Sequence, residues 1–307
     1  MPQIPIDWFS CVFYLYPTRS DAEEGTAMRG GTGFLVGIRS PRMPFNAYIY
    51  AVTNAHLAPQ QDSGDSVYAR FNRFDGTFEI IELHEGKWHR HPDADDIAIC
   101  ELGLNLERVN QTYVSESMFL TEKLFIDNGI GPGDDVFMIG RFQTIEGKDQ
   151  NTPTARFGNI SQLFAREVKN SFGLNQLSFI VEMRSLSGYS GSPVFAYLMP
   201  FYKRDAHPTT EQPNPPAVNL LPNGVGPWLI GVDWGHLNRF QEVLDQDRKT
   251  PEVPPRWVKE NSGMSMVVPI DRLTDLLQKE ELRQHRNETE AILAEAEMDA
   301  NSSNPAN

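Results

Sequence analysis

The sequence predicts an all-β protein of barrel or sandwich type, and two observations carry that expectation. Its apolar segments are short, rich in β-branched and aromatic residues, and closed off by Gly, Pro, Asn or Asp. Apolar residues at helical spacing, by contrast, are confined to the stretch after Pro269. Nine runs read as strands: 9–15, 33–38, 48–53, 97–102, 136–139, 178–183, 194–198, 228–232 and 264–268. After Pro269, the residues Ile270, Leu273, Leu276 and Leu277 recur on one helical face, so a helix begins there and runs on toward 296. The residues 300–307 are small and polar and are expected to be disordered.

Two segments read as inserted loops. Residues 200–227 hold seven prolines, a composition that argues against regular strands. Residues 241–263 are charged and carry Pro251, Pro254 and Pro255. Residues 110–132 lie between two strand-rich halves. The division expected is therefore 1–115, 116–269, and a C-terminal helix with its tail at 270–307.

Composition removes several functions. The chain has 307 residues, of which 40% are apolar, enough for a substantial core. Its net charge of −14 leaves no electrostatic footprint for nucleic acid or an anionic membrane surface. Neither is expected as a partner. Cys11 and Cys100 sit inside apolar runs and read as buried free thiols, which suits a reducing compartment. The first residues lack the basic and apolar regions of a signal peptide, and no run approaches the roughly 18 apolar residues of a membrane span. A cytoplasmic location is the expectation.

Three motifs carry chemistry. Acyl transfer by a serine needs a hydroxyl, an imidazole to take its proton, and a carboxylate to fix the imidazole's tautomer. It also needs backbone N–H groups aimed at the developing oxyanion. Gly31-Thr32-Gly33-Phe34-Leu35-Val36 precedes Thr53-Asn54-Ala55-His56, where a strand delivers an imidazole beside a small residue. Asp95-Asp96-Ile97-Ala98-Ile99 supplies a carboxylate directly before an apolar strand, with Asp93 and Asp95 as rivals to Asp96. Ser187-Gly188-Tyr189-Ser190-Gly191-Ser192-Pro193 is a glycine-bearing turn that presents a serine ahead of a strand.

In this order and with these surroundings, the motifs resemble those of the trypsin-like serine peptidases, on the HtrA-like bacterial side. The pieces that match span roughly 9–277. The resemblance implies two six-stranded antiparallel β-barrels of the chymotrypsin kind followed by a C-terminal helix. It implies a serine endopeptidase acting on a protein or peptide substrate, with no cofactor and no metal. His56 would be the base, Asp96 its partner, Ser190 the nucleophile, and the N–H groups of Gly188 and Ser190 the oxyanion hole. Asp233, Trp234 and Gly235 fall on the strand that walls the substrate pocket. Arg184, six residues before the nucleophile, falls at the pocket base and would favour an acidic side chain in the substrate.

The departures are specific. Ser192 stands where the family has a second glycine, and Asp233 where it has a small hydroxyl residue. Tyr189 replaces the aspartate that zymogen-type members carry before the nucleophile, so activation by a freed amino terminus is not expected. These departures favour one alternative, an inactive protease-fold module that binds a peptide as an added strand. An α/β-hydrolase reading of Gly188–Ser192 fails because helices are missing before Pro269. The pair His89 and His91 has no third metal ligand in its motif and reads as a surface turn.

Overall fold

The computed structural model describes all residues except 1–2, 26–28, 43–46, 146, 171, 199–202, 205–217, 220–224, 245–253 and 303–307. Its first sheet comprises β1 (Val12–Tyr16), β2 (Gly31–Arg39), β3 (Ala47–Thr53), β4 (Ser66–Asn72), β5 (Phe78–His84), β6 (Trp88–Arg90), β7 (Ala98–Glu101) and β8 (Val114–Ser115). The order is β5-β4-β1-β2-β3-β7-β6, with β8 running parallel beside Val36 and Gly37 of β2. The second sheet uses β9 (Asp135–Gly140), β10 (Thr154–Lys169), β11 (Asn175–Glu182) and β12 (Pro193–Leu198). After a short pair, β13 (Lys203–Arg204) and β14 (Val218–Asn219), it is completed by β15 (Val225–Glu242) and β16 (Trp257–Pro269). These six close in the order β10-β11-β16-β15-β12-β9.

The double-barrel class expected from the sequence is the one adopted. The two halves differ in closure, however. The second is a closed six-stranded barrel, whereas the first is an eight-stranded half-barrel whose edges β5 and β6 do not pair with each other.

Side-chain alternation explains why the strands read as continuous apolar runs. On β1 to β3, Phe13, Leu35 and Ala51 pack inside the first sheet with Ala69, Phe71 and Leu83. The alternate residues Val12, Phe34, Val36 and Val52 face the other way and join Val136, Met138, Val194 and Ile230 of the second barrel. Strands buried on both faces lose the polar half of the period-2 pattern. Cys11 and Cys100 are buried and free, and burial pushes both thiols up to about 12. They are inert packing residues.

Among the described residues, four α-helices decorate the sheets. The short α1 (Arg19–Glu24) and α2 (Glu122–Asp127) are capped by the hydroxyls of Thr18 and Thr121. The C-terminal helix expected after Pro269 is in fact two, α3 (Ile270–Leu277) and α4 (Glu280–Ser302). Ile270, Leu273, Leu276 and Leu277 of α3 are all buried, as their spacing predicts. The chain then breaks at Gln278 and Lys279, and α4 lies along the first sheet through polar contacts. Arg286 donates to Tyr50 Oη (2.8 Å) and to the Leu277 carbonyl (2.8 Å), while Glu290 accepts from Ser40 Oγ (2.6 Å) and Tyr48 Oη (2.8 Å).

Two loop expectations need correction. The described ends of segment 241–263 belong to a long hairpin, because β15 runs through Glu242 and β16 starts at Trp257. Backbone pairing from Asn238↔Asn261 to Glu242↔Trp257 satisfies this charged stretch, whose side chains are largely exposed. Within 200–227, β13 and β14 form a short antiparallel pair, and most of the remainder lies outside the described residues, as do His207 and the tail 303–307. Among the described residues, no helix is long and apolar enough to cross a membrane.

Candidate active site

Antiparallel pairing of β3 with β7 sets Thr53 opposite Ala98. The turn leaving β3 therefore lies across from the residues entering β7, and His56 meets Asp96. Asp96 is fully buried. Its Oδ2 lies 2.7 Å from His56 Nδ1, and its Oδ1 accepts the His56 backbone N–H at 2.9 Å. A carboxylate only accepts, so Nδ1 carries the proton and Nε2 of the neutral ring keeps its lone pair. Asn54 Nδ2 donates to the Asp96 carbonyl (2.9 Å), and the Asp96 N–H donates to Gln176 Oε1 (2.7 Å). The carboxylate is thus held at its backbone on both sides. Gln176, on β11, has no local motif that would have revealed this role.

The neighbouring acids have different fates. Asp95 Oδ1 accepts from Gln176 Nε2 (3.0 Å), while its Oδ2 lies 3.0 Å from Arg272 Nε and 3.3 Å from His91 Nδ1. Asp93 is exposed and lies 3.6 Å from Arg272. Burial raises the Asp95 carboxyl above the usual range, against the pull of Arg272 and His91. His91 is buried, not a surface turn residue as its motif suggested. Ligand atoms of His91, Asp93 and Asp95 lie within 4.8 Å of one another, a spacing that could hold a metal ion. The Arg272 guanidinium already supplies the positive charge there.

The turn that carries Ser190 is fixed by contacts from both halves of the molecule. Gly188 (φ 101°) and Gly191 (φ 88°) take left-handed conformations that favour glycine. A Cβ at Gly188 would lie 2.7 Å from the Arg141 carbonyl oxygen, so a side chain there has no room. From the first sheet, the Thr32 N–H donates to the Ser190 carbonyl (2.8 Å), and Thr32 Oγ1 donates to the Gly188 carbonyl (2.8 Å). From β15, the Asp233 carbonyl accepts the Gly191 N–H (2.8 Å), and the Asp233 N–H donates to the Ser192 carbonyl (2.9 Å).

Ser190 is half-buried. Among the described residues, no intrachain acceptor takes the N–H of Gly188 or Ser190, and no hydrogen bond joins Ser190 Oγ to His56. Catalytic hydrogen bonds of this kind are commonly long or unformed until substrate closes the site. A cleft of about 610 Å³ borders His56, lined by Ala58, Ala94 and Phe172 on its apolar side and by Arg90 and Gln61 on its polar side.

The remaining predicted residues are distributed around the turn. Trp234 is buried and donates from Nε1 to Ser178 Oγ (3.0 Å). Gly235 is half-buried on β15, where an added Cβ would meet only Met266 Cε at 3.6 Å. Arg184 is exposed in the loop between β11 and the turn. Asp233 is fully buried, and its carboxyl accepts hydrogen bonds from Ser265 Oγ and from Ser185 Oγ (3.0 Å). The side chain is therefore enclosed, and it braces the loop that carries Arg184.

Burial pushes the Asp233 carboxyl up to about 7, although the two serine hydroxyls and the nearby His56 pull the other way. The native state then keeps a proton that the unfolded chain releases at its ordinary pKa near 4. This contribution to stability is fully present below pH 4 and is lost as pH rises toward 7, a cost on the order of 3–4 kcal/mol. Asp233→Asn retains an acceptor without a titrating proton. Melting temperatures at pH 4 and pH 8 should converge in this variant relative to wild type. An unchanged difference between the two pH values would show that Asp233 ionises normally.

No protein-family model and no curated protein matches the sequence. Among solved structures, the chain is similar to the MamO protease domain from Magnetospirillum magneticum, at 11% identity and a TM-score of 0.48. That match covers 88% of this chain and 97% of the MamO domain. It is similar to Deg5 at 16% identity and a TM-score of 0.44, over 87% of this chain and 86% of that one. A third likeness is to the Rv3671c protease of M. tuberculosis H37Rv in an inactive form, at 15% identity and a TM-score of 0.43, over 88% and 89%. The MamO and Rv3671c structures are named as proteases. At such identities the likeness concerns the fold alone, and the fold rests on the strand order and closure described above. The chain has the chymotrypsin-like double-barrel fold.

Proposed function

We propose that this protein is a serine endopeptidase that hydrolyses peptide bonds through an acyl-enzyme. The observation that carries the reading is the buried Asp96 carboxylate on His56 Nδ1, which leaves Nε2 as a base on the side open to solvent. In this reading His56 takes the Ser190 proton as Oγ attacks the scissile carbonyl, then returns it to the leaving amine. The N–H groups of Gly188 and Ser190 receive the oxyanion. Asp96 stays ionised, fixes the ring and stabilises the imidazolium. Segments 1–115 and 116–269 act as the two functional halves, the first supplying His56 and Asp96 and the second Ser190 and the pocket wall. The two free thiols and the acidic surface suit work in the cytoplasm on protein or peptide substrates.

One observation favours a second reading. Ser192 is fully buried with no hydrogen-bond partner for its hydroxyl among the described residues, and Asp233 places a second carboxyl behind the turn. A protease fold that had become a peptide-binding module could carry both features.

Hydrolysis of unfolded protein substrates by wild type and Ser190→Ala separates the two. The variant should fold normally and retain only the residual rate of oxyanion hole and binding, about 10³–10⁴ above water. Equal turnover in the two proteins, or none in wild type, contradicts the endopeptidase reading. Among the acids, Asp96→Asn should lower turnover by about 10⁴, because the amide would hold the wrong tautomer. Asp93→Asn and Asp95→Asn should be far milder, and a larger loss in Asp95→Asn would reassign the partner of His56.

Specificity is tested separately. Arg184 is the exposed cation nearest the turn in sequence, and in this reading it selects Asp or Glu on the acyl side of the cleaved bond. Cleavage of a peptide library should lose that preference in Arg184→Ala. An apolar preference unchanged by the substitution removes Arg184 from the pocket.

A further inference from the structure

Tyr189 lies between the two donors of the proposed oxyanion hole, so its backbone torsions aim both N–H groups. Its side chain is fully buried, and it is tied to a distant strand. Arg156 on β10 donates from Nε to the phenol oxygen (3.1 Å), and Thr154 Oγ1 shares a hydrogen bond with the same oxygen. The Arg156 guanidinium also lies over two rings, 5.1 Å from the centroid of Phe142 and 5.4 Å from that of Tyr189. The two rings are themselves 6.5 Å apart. Phe142 belongs to the connection that follows β9, whose Arg141 N–H donates to Thr32 Oγ1 (2.8 Å).

The backbone of the turn is bonded on every side of these donors. The Tyr189 N–H reaches the Leu186 carbonyl (3.2 Å), the Tyr189 carbonyl accepts from the Ser192 N–H (2.9 Å), and the Gly188 carbonyl accepts from Thr32. From Gly188 to Ser192, the N–H groups at 188 and 190 are the two without an acceptor among the described residues. A fully buried phenol whose oxygen is held by the half-buried Arg156 guanidinium and Thr154 hydroxyl is anchored by protein groups at its polar end.

We infer that Tyr189, Arg156 and Thr154 form a built-in anchor that holds the oxyanion hole in its receptive conformation. They are positioning residues and do not touch substrate. The inference rests on the endopeptidase reading for its catalytic consequence, but the anchoring itself is a property of the turn. It removes the need for a proteolytic activation step, because the order of the turn comes from within the folded chain.

The test uses full-length Tyr189→Phe and Arg156→Met, which keep ring and stem but delete the hydrogen bond. Amide hydrogen exchange of segment 186–192 should rise at least tenfold in both, with melting temperatures within a few degrees of wild type. Turnover should fall through kcat by about tenfold or more with KM nearly unchanged, since losing a whole oxyanion donor costs about 10²–10³. The double variant should be no worse than either single one. Exchange at 186–192 equal to wild type in both variants overturns the anchor, as does a loss confined to KM. Wild-type protein that hydrolyses nothing, with exchange still raised in the variants, overturns the endopeptidase reading and leaves the anchor standing.

Discussion

One buried threonine joins the two halves of the molecule between the turn that carries Ser190 and the strand that leads to His56. Thr32 uses every polar group it has. Its N–H and hydroxyl donate to the Ser190 and Gly188 carbonyls, and its hydroxyl also accepts the Arg141 N–H. Its carbonyl accepts from Thr53 Oγ1 (2.7 Å), three residues before His56. His56 and Ser190 lie on different sheets, so their separation is only as precise as the seam between the sheets. Thr32 sets that seam with hydrogen bonds buried from water, where a missing partner costs about 1–3 kcal/mol. The apolar contacts of Val12, Phe34, Val36 and Val52 with the second barrel supply the area. Thr32 supplies the register.

The electrostatics divide two adjacent carboxylates between structure and chemistry. Asp96 faces the imidazole, and Asp95 faces Arg272 on α3. Gln176 bridges them, accepting from the Asp96 N–H and donating to Asp95. Burying two acids side by side is costly unless each has its own donors. The bridge explains why the C-terminal helices matter to a site they do not touch. Arg272 neutralises Asp95, and so the loop that presents Asp96 carries less unpaired charge.

Much of this was legible in the sequence. Each of the nine expected strands exists, because runs such as 33–38 and 48–53 are buried on both faces and read as apolar without interruption. The strands that were missed are interrupted by polar residues. β4 (Ser66–Asn72) and β5 (Phe78–His84) lie toward the edge of the half-barrel, and β10 (Thr154–Lys169) leaves much of its length half-exposed. The contact of His56 with Asp96 follows from the register of β3 on β7, and the resemblance to trypsin-like peptidases had implied it, with Asp93 and Asp95 as rivals. The roles of Thr32, Gln176 and Arg156 were not legible. Each depends on a single polar side chain reaching a partner remote in sequence, from 33 residues for Arg156 with Tyr189 to 156 for Thr32 with Gly188, and no local pattern encodes such a pairing. The break between α3 and α4 was hidden for a similar reason, since the falling apolar content of 280–296 was compatible with one continuous helix.

The proposed endopeptidase requires that His56, polarised by Asp96, activates Ser190 in particular. The most direct measurement is the mapping of a covalent fluorophosphonate adduct by tandem mass spectrometry on wild type and His56→Ala. A single adduct on Ser190 should form in wild type and be lost in the variant. No adduct in wild type, an adduct on Ser192, or labelling of Ser190 that survives the loss of His56 would contradict it.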